Sequence, residues 1–110
     1  AVVQGLGGVF LENFVYDTEG QPLATNLADY LMPTAGNTPR IRAFLLENHP
    51  SPTNPLGAKG GGEGGVIPVG GLISNAVANA FSSLGVEPRE LPLSPPHLWR
   101  IIEAAKAGMD

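Results

Sequence analysis

A chain of 110 residues has room for one hydrophobic core or part of one, and 15 % charged against 43 % hydrophobic residues is low in charge for a free-standing domain, where about a quarter are charged. The net charge of −4, with six scattered Lys and Arg, argues against a nucleic-acid surface; the apolar stretches are too short and interrupted to span a bilayer. The absence of cysteine excludes disulfides, thiolate metal sites and a cysteine nucleophile, and suits a reducing cytoplasm. The chain starts at Ala1 inside an apolar helical pattern, with neither an initiator Met nor a signal-peptide arrangement, so we read it as a piece of a longer protein.

Val2, Leu6, Val9 and Phe10 fall at i, i+4, i+7 and i+8, with Phe14 one turn on, which predicts a first helix stopping near Tyr16. Gly5, Gly7 and Gly8 cost that helix on the order of 2 to 3 kcal/mol of propensity. They imply either tight packing against another helix, a non-helical turn, or close approach to a cofactor. Tyr16 to Pro22 is turn chemistry, and Pro33, Gly36 and Pro39 predict an irregular excursion over 23–39 with at most a short strand. Arg40 to Glu47 places Ile41, Ala43 and Leu45 on one side and Phe44 and Leu46 on the other, the pattern of a strand buried on both faces. Prolines 50, 52 and 55 make a stiff lead into the next segment.

Gly57-Ala58-Lys59-Gly60-Gly61-Gly62-Glu63-Gly64-Gly65 sets one carboxylate among six glycines. Such a loop is either a structural surface loop or one that brings main chain against a ligand. Ile73, Val77, Ala80, Phe81 and Leu84 then define an amphipathic helix ended by Gly85. Ser94 as N-cap and Pro95 at the first helical position open a last helix, carrying Leu98, Ile101, Ile102 and Ala105, that stops at Gly108. The expected fold is α+β and helix-rich, with about three helices and one or two strands.

Most motifs fail on context. Gly60, Gly62 and Gly65 satisfy G-x-G-x-x-G but follow prolines rather than a strand, and Lys59 precedes the glycines, so neither a dinucleotide nor a Walker loop is read here. His49 and His97 lack acidic partners at ligand spacing, and no metal-ligating set is read from the sequence. Ser82 and Ser83 sit in no nucleophile elbow, Trp99 reads as a packing aromatic, and Lys59 reads as a solvated cation or an anion contact. Glu63 remains: a carboxylate among glycines, desolvated against a bound group, is a stronger base than one in water.

Val3-Gln4-Gly5-Leu6-Gly7, Tyr16-Asp17 with Gly20 and Leu23, Asp29-Tyr30 with Pro33-Thr34, the loop Gly57 to Glu63, Asn75-Ala76 and Leu91-Pro92-Leu93-Ser94-Pro95 occur in a characteristic order. Together they resemble the C-terminal end of the large, molybdenum-binding subunit of the molybdenum hydroxylases, the family of xanthine dehydrogenase, aldehyde oxidoreductase and aerobic carbon monoxide dehydrogenase. The resemblance runs through nearly the whole chain. It implies that residues 1–110 are the C-terminal portion of a molybdopterin-binding domain, that Glu63 is the general base beside molybdenum, that Gln4 contacts the molybdopterin, and that Gly62 and its neighbours approach the cofactor through backbone. It further implies molybdopterin, in its cytosine dinucleotide form, and oxidative hydroxylation of a small substrate with water-derived oxygen. The remainder of the large subunit, FAD-binding and iron-sulfur subunits are the implied partners. The Lys-Gly-Gly-Gly-Glu run leans toward the carbon monoxide dehydrogenase branch. The other reading is a non-catalytic interaction or structural module that keeps the motif without the chemistry.

Overall fold

A computed structural model describes residues 1–108. Three α-helices carry the structure: α1 (Val2–Phe10), α2 (Val69–Ala80) and α3 (Pro95–Ala107), with a 3₁₀ turn at Ser82–Leu84. The two long connections, 11–68 and 81–94, are irregular apart from that turn and one antiparallel bridge, Tyr16 to Pro22.

The core is small and lies where the three helices meet. Val9, Val69 and Leu93 are buried there, and Leu6, Phe10, Ile73, Val77 and Ile101 pack around them. The i, i+4 spacing of Ile73 and Val77 turns one stripe of α2 to this cluster. α1 and α2 come very close because Gly5 has no side chain: a Cβ built on it would lie 2.6 Å from Val69 Cγ2. Of the readings open for the α1 glycines, tight packing against another helix therefore holds at Gly5; Gly7 is packed closely too, but against the irregular segment, where a Cβ would lie 2.7 Å from Pro33 Cγ.

α1 ends at Phe10, six residues before the expected stop. The Val9 carbonyl, which an extended helix would use, instead accepts the Leu93 amide at 2.5 Å, and the Gly7 carbonyl accepts both Leu11 and Glu12 amides at 2.9 Å. Val15 pairs with Leu23 at 2.7 Å around the Asp17–Gly20 turn, so the chain past Phe10 is already committed to other partners. α2 starts four residues earlier than the first apolar position of its stripe and ends at Ala80, before the expected Phe81 and Leu84, which belong to a 3₁₀ turn and its cap; Gly85, at φ +66°, closes that turn. α3 has the expected limits and Pro95 at its start, yet the Ser94 hydroxyl makes no capping bond and only its backbone takes the cap conformation.

The strand expected over 40–47 is not formed, and no strand occurs among the described residues, so the α+β expectation becomes a helical one. A strand needs a neighbour to take its amides and carbonyls. The backbone of 40–47 makes no hydrogen bond to another segment of the described chain, and Phe44, Leu45 and Leu46 are 82, 83 and 89 % exposed. Trp99, expected to pack, is 63 % exposed on the outer face of α3.

Exposure is general. The accessible surface is 8584 Å², where a monomer of 11.4 kDa ordinarily shows about 5,800 Å². The radius of gyration is 18.5 Å, against about 13 Å for a domain of this length. No helix among the described residues is long and apolar enough to cross a membrane.

Candidate cofactor-facing site

Gln4 lies on the outer face of α1, next in sequence to the glycine that meets Val69. Glu63 lies in a run of successive turns leading into α2, held by Gly64 N–H to Gly61 O at 3.1 Å, Val66 N–H to Glu63 O at 2.9 Å and Val69 N–H to Val66 O at 3.1 Å. The run docks on the start of α1 at Gly65, where a Cβ would sit 3.2 Å from Ala1 Cβ and 3.4 Å from Val2 Cγ2. Two side-chain-free contacts, at Gly5 and Gly65, thus set the distance between helix and loop.

The result brings together two of the residues singled out from the sequence. Gln4 Nε2 donates to Glu63 Oε1 at 3.0 Å across 59 positions of chain. A carboxylate only accepts, which fixes the amide orientation and leaves Glu63 Oε2 and the Gln4 carbonyl oxygen without a partner in this pair. Both side chains are exposed, so the desolvation expected at Glu63 does not come from the described residues.

Gly62, the third of these residues, precedes Glu63 on the open side of the loop. A Cβ on Gly60, Gly61 or Gly62 would meet nothing within 4 Å, and the three amides make no hydrogen bond within the described residues. These features fit the molybdopterin cofactor that the resemblance implies: free main-chain donors, room for a bulky group to come against the backbone, and an amide and a carboxylate side by side.

Beside Gln4 a cleft of about 350 Å³ runs between α1 and the start of α2, lined by Gln4, Gly8, Glu12, Val66, Gly70 and Leu91. Gln4 and Gly8 share one face of α1 at i and i+4, and Glu12, two residues past its end, keeps the same spacing in sequence. Glu12 escaped the sequence reading; its signal is that same spacing from Gln4. Its Oε2 accepts the Tyr30 hydroxyl at 2.5 Å. The Glu12 carboxylate as hydrogen-bond partner, then partial burial and the same negative charge, push the Tyr30 phenol above its usual range.

Asn54 is a second missed residue. Its Oδ1 accepts the Leu56 and Ala58 amides and its Nδ2 donates to the Ala58 carbonyl, so it clamps the approach to the glycine loop. The stiff extended lead expected from the prolines is in fact a closed turn, with Ser51 N–H bonded to Gly57 O at 2.9 Å. Lys59 and His49 line a shallow concavity at the far end of that turn. His97 Nδ1 donates to the Pro92 carbonyl at 2.8 Å, which places it with the α3 start rather than with this site.

A sequence profile described as Molybdopterin cofactor-binding domain matches residues 1–39. The gamma subunit of the 6-hydroxypseudooxynicotine dehydrogenase complex of Paenarthrobacter nicotinovorans is 42 % identical over 99 residues, which is 90 % of this chain and 12 % of that one. The carbon monoxide dehydrogenase large chain of Afipia carboxidovorans is 37 % identical over 90 residues, 80 % of this chain and 11 % of its own. The crystal structure of quinoline 2-oxidoreductase from Pseudomonas putida 86 superposes with a TM-score of 0.79 at 38 % identity, covering 93 % of this chain and 13 % of that one. The loop's lean toward one branch therefore does not select a substrate, because similar chains carry different names. The chain belongs to the molybdenum hydroxylase family and matches roughly an eighth of the length of the large chains it resembles.

Proposed function

We propose that this chain is the C-terminal portion of the molybdopterin-binding domain of a molybdenum-dependent oxidoreductase, and that it supplies one wall of the active site. The observation that carries this reading is the 3.0 Å hydrogen bond between Gln4 and Glu63, beside a glycine loop whose amides are free. When bound, the molybdenum cofactor supplies the two-electron redox chemistry of hydroxylation, with water as oxygen source.

The chain's own residues orient and deprotonate. Gly60, Gly61 and Gly62 present backbone N–H groups and no side chain, so the cofactor can lie against the loop. Gln4 keeps one N–H and its carbonyl oxygen for the cofactor while its other N–H holds Glu63. Glu63, engaged at Oε1, takes the proton at Oε2 as general base. Covering the loop with cofactor and the rest of the large subunit removes water from around this carboxylate. FAD-binding and iron-sulfur subunits carry the electrons away, the cofactor is the cytosine dinucleotide form, and the assembly works in the cytoplasm.

The test is Glu63→Gln in the assembled enzyme. The substitution keeps size and shape and removes the base. Molybdenum content is expected to match the parent while turnover falls by about 100-fold or more. A fully loaded variant turning over at the parent rate would leave Glu63 no part in proton transfer.

A further inference from the structure

We infer that Gln4 is a positioning residue for Glu63 as well as a cofactor contact: its amide holds the carboxylate toward α1 and fixes which oxygen faces the reacting group. This rests on the reading of Glu63 as the base. The geometry supports it at three points. First, the amide donates and the carboxylate accepts, at 3.0 Å, so Oε1 is engaged and Oε2 is left outside the pair. Second, the two residues stand beside two close glycine contacts between α1 and the chain around α2. Gln4 adjoins Gly5 against Val69, Glu63 lies two residues before Gly65 against Ala1 and Val2, and Val69 lies four residues after Gly65. Helix and loop cannot separate without undoing both contacts, so the pair is held by the fold and not only by its own hydrogen bond. Third, Glu63 O is tied to Val66 N–H at 2.9 Å, which fixes the backbone from which the carboxylate extends. With Oε1 taken, Oε2 is the oxygen left to receive a proton.

The experiment compares Gln4→Met and Gln4→Glu in the assembled enzyme. Methionine keeps the length and the apolar stem and lacks the donor; glutamate keeps the length and puts a second carboxylate against the first. The readouts are kcat per molybdenum, KM, the molybdenum content, and the conformation of Glu63 in a crystal structure of the Gln4→Met enzyme. The expected result for Gln4→Met is a kcat per molybdenum lowered by about 10- to 100-fold with KM near the parent value, the pattern of a base held out of place. Gln4→Glu should lower it further, through like-charge repulsion, and in the Gln4→Met crystal Glu63 should turn away from α1. A kcat per molybdenum that stays at the parent value overturns the inference, whether molybdenum content falls, which makes Gln4 a cofactor contact only, or stays at the parent level. The parallel Glu63→Gln variant separates the two ideas: if it is inactive while the Gln4 variants keep the parent kcat per molybdenum, the positioning role fails and the base remains.

Discussion

Tyr30 and Glu12 join the irregular excursion to the end of α1, hydroxyl to carboxylate at 2.5 Å, and Phe14 packs its ring edgewise 5.9 Å from that of Tyr30. The contact lets a segment without regular structure keep a fixed place beside the cleft that Gln4 and Glu12 line.

Its pH dependence follows from the direction of the Tyr30 shift. The folded phenol holds its proton more tightly than the unfolded one, because it donates to Glu12. The stabilisation is therefore complete below the usual tyrosine value of about 10 and is lost as pH rises through the raised folded value. Absorbance titration of phenolate should show one of the two tyrosines ionising late, and Tyr30→Phe should remove that late step. A late step that survives Tyr30→Phe would assign it to Tyr16.

Two glycines on one helix should respond oppositely to alanine. Gly5→Ala drives a Cβ into Val69 and costs about 1 to 3 kcal/mol of overpacking, only part of which better helix propensity offsets. Gly8→Ala meets nothing within 4 Å and should gain about 0.5 to 1 kcal/mol within the chain itself. Denaturant unfolding of the two variants measures the difference, and Val69→Ala should restore much of the loss in Gly5→Ala.

Gly62→Ala separates fold from cofactor. Nothing within the chain opposes the new methyl, and its fold should be unchanged. In the assembled enzyme molybdenum content should drop several-fold if the cofactor lies against this face. Parent-level molybdenum would place the cofactor elsewhere.

The isolated chain should associate with itself and retain no stoichiometric molybdenum. Phe44, Leu45, Leu46, Leu56 and Ile67 are each more than four-fifths exposed, an apolar surface beyond what a monomer this small usually shows. Light scattering and dye binding measure the first expectation, and metal analysis after gel filtration measures the second. A dye-silent monomer at high concentration would contradict it.

What was legible in the sequence was what local spacing controls. Ile73 and Val77 mark α2, Gly85 closes the 3₁₀ turn that follows it, and the Ser94-Pro95 pair marks the start of α3, because helix bonds close within four residues. The end of α1 was not legible, since the Val9 carbonyl is claimed by Leu93, 84 positions away. For 40–47, alternation reports a demand for burial on both faces but not whether a neighbouring strand is present. Composition and motif made Glu63 and Gln4 candidates separately. Their contact depends on Gly5 and Gly65 meeting Val69 and Ala1, which no short window of sequence contains.

The Gln4–Glu63 pair closes a loop of 59 positions whose middle is largely irregular chain. Closure entropy grows only logarithmically, so doubling that span would cost about 0.6 kcal/mol. Residues between the Tyr30 contact and the Asn54 clamp can therefore be lengthened, shortened or exchanged with little penalty at the site, provided Gly5, Gly65 and Val69 are kept. Evolution can thus remodel the outer surface for new neighbours while the amide and the carboxylate stay in register.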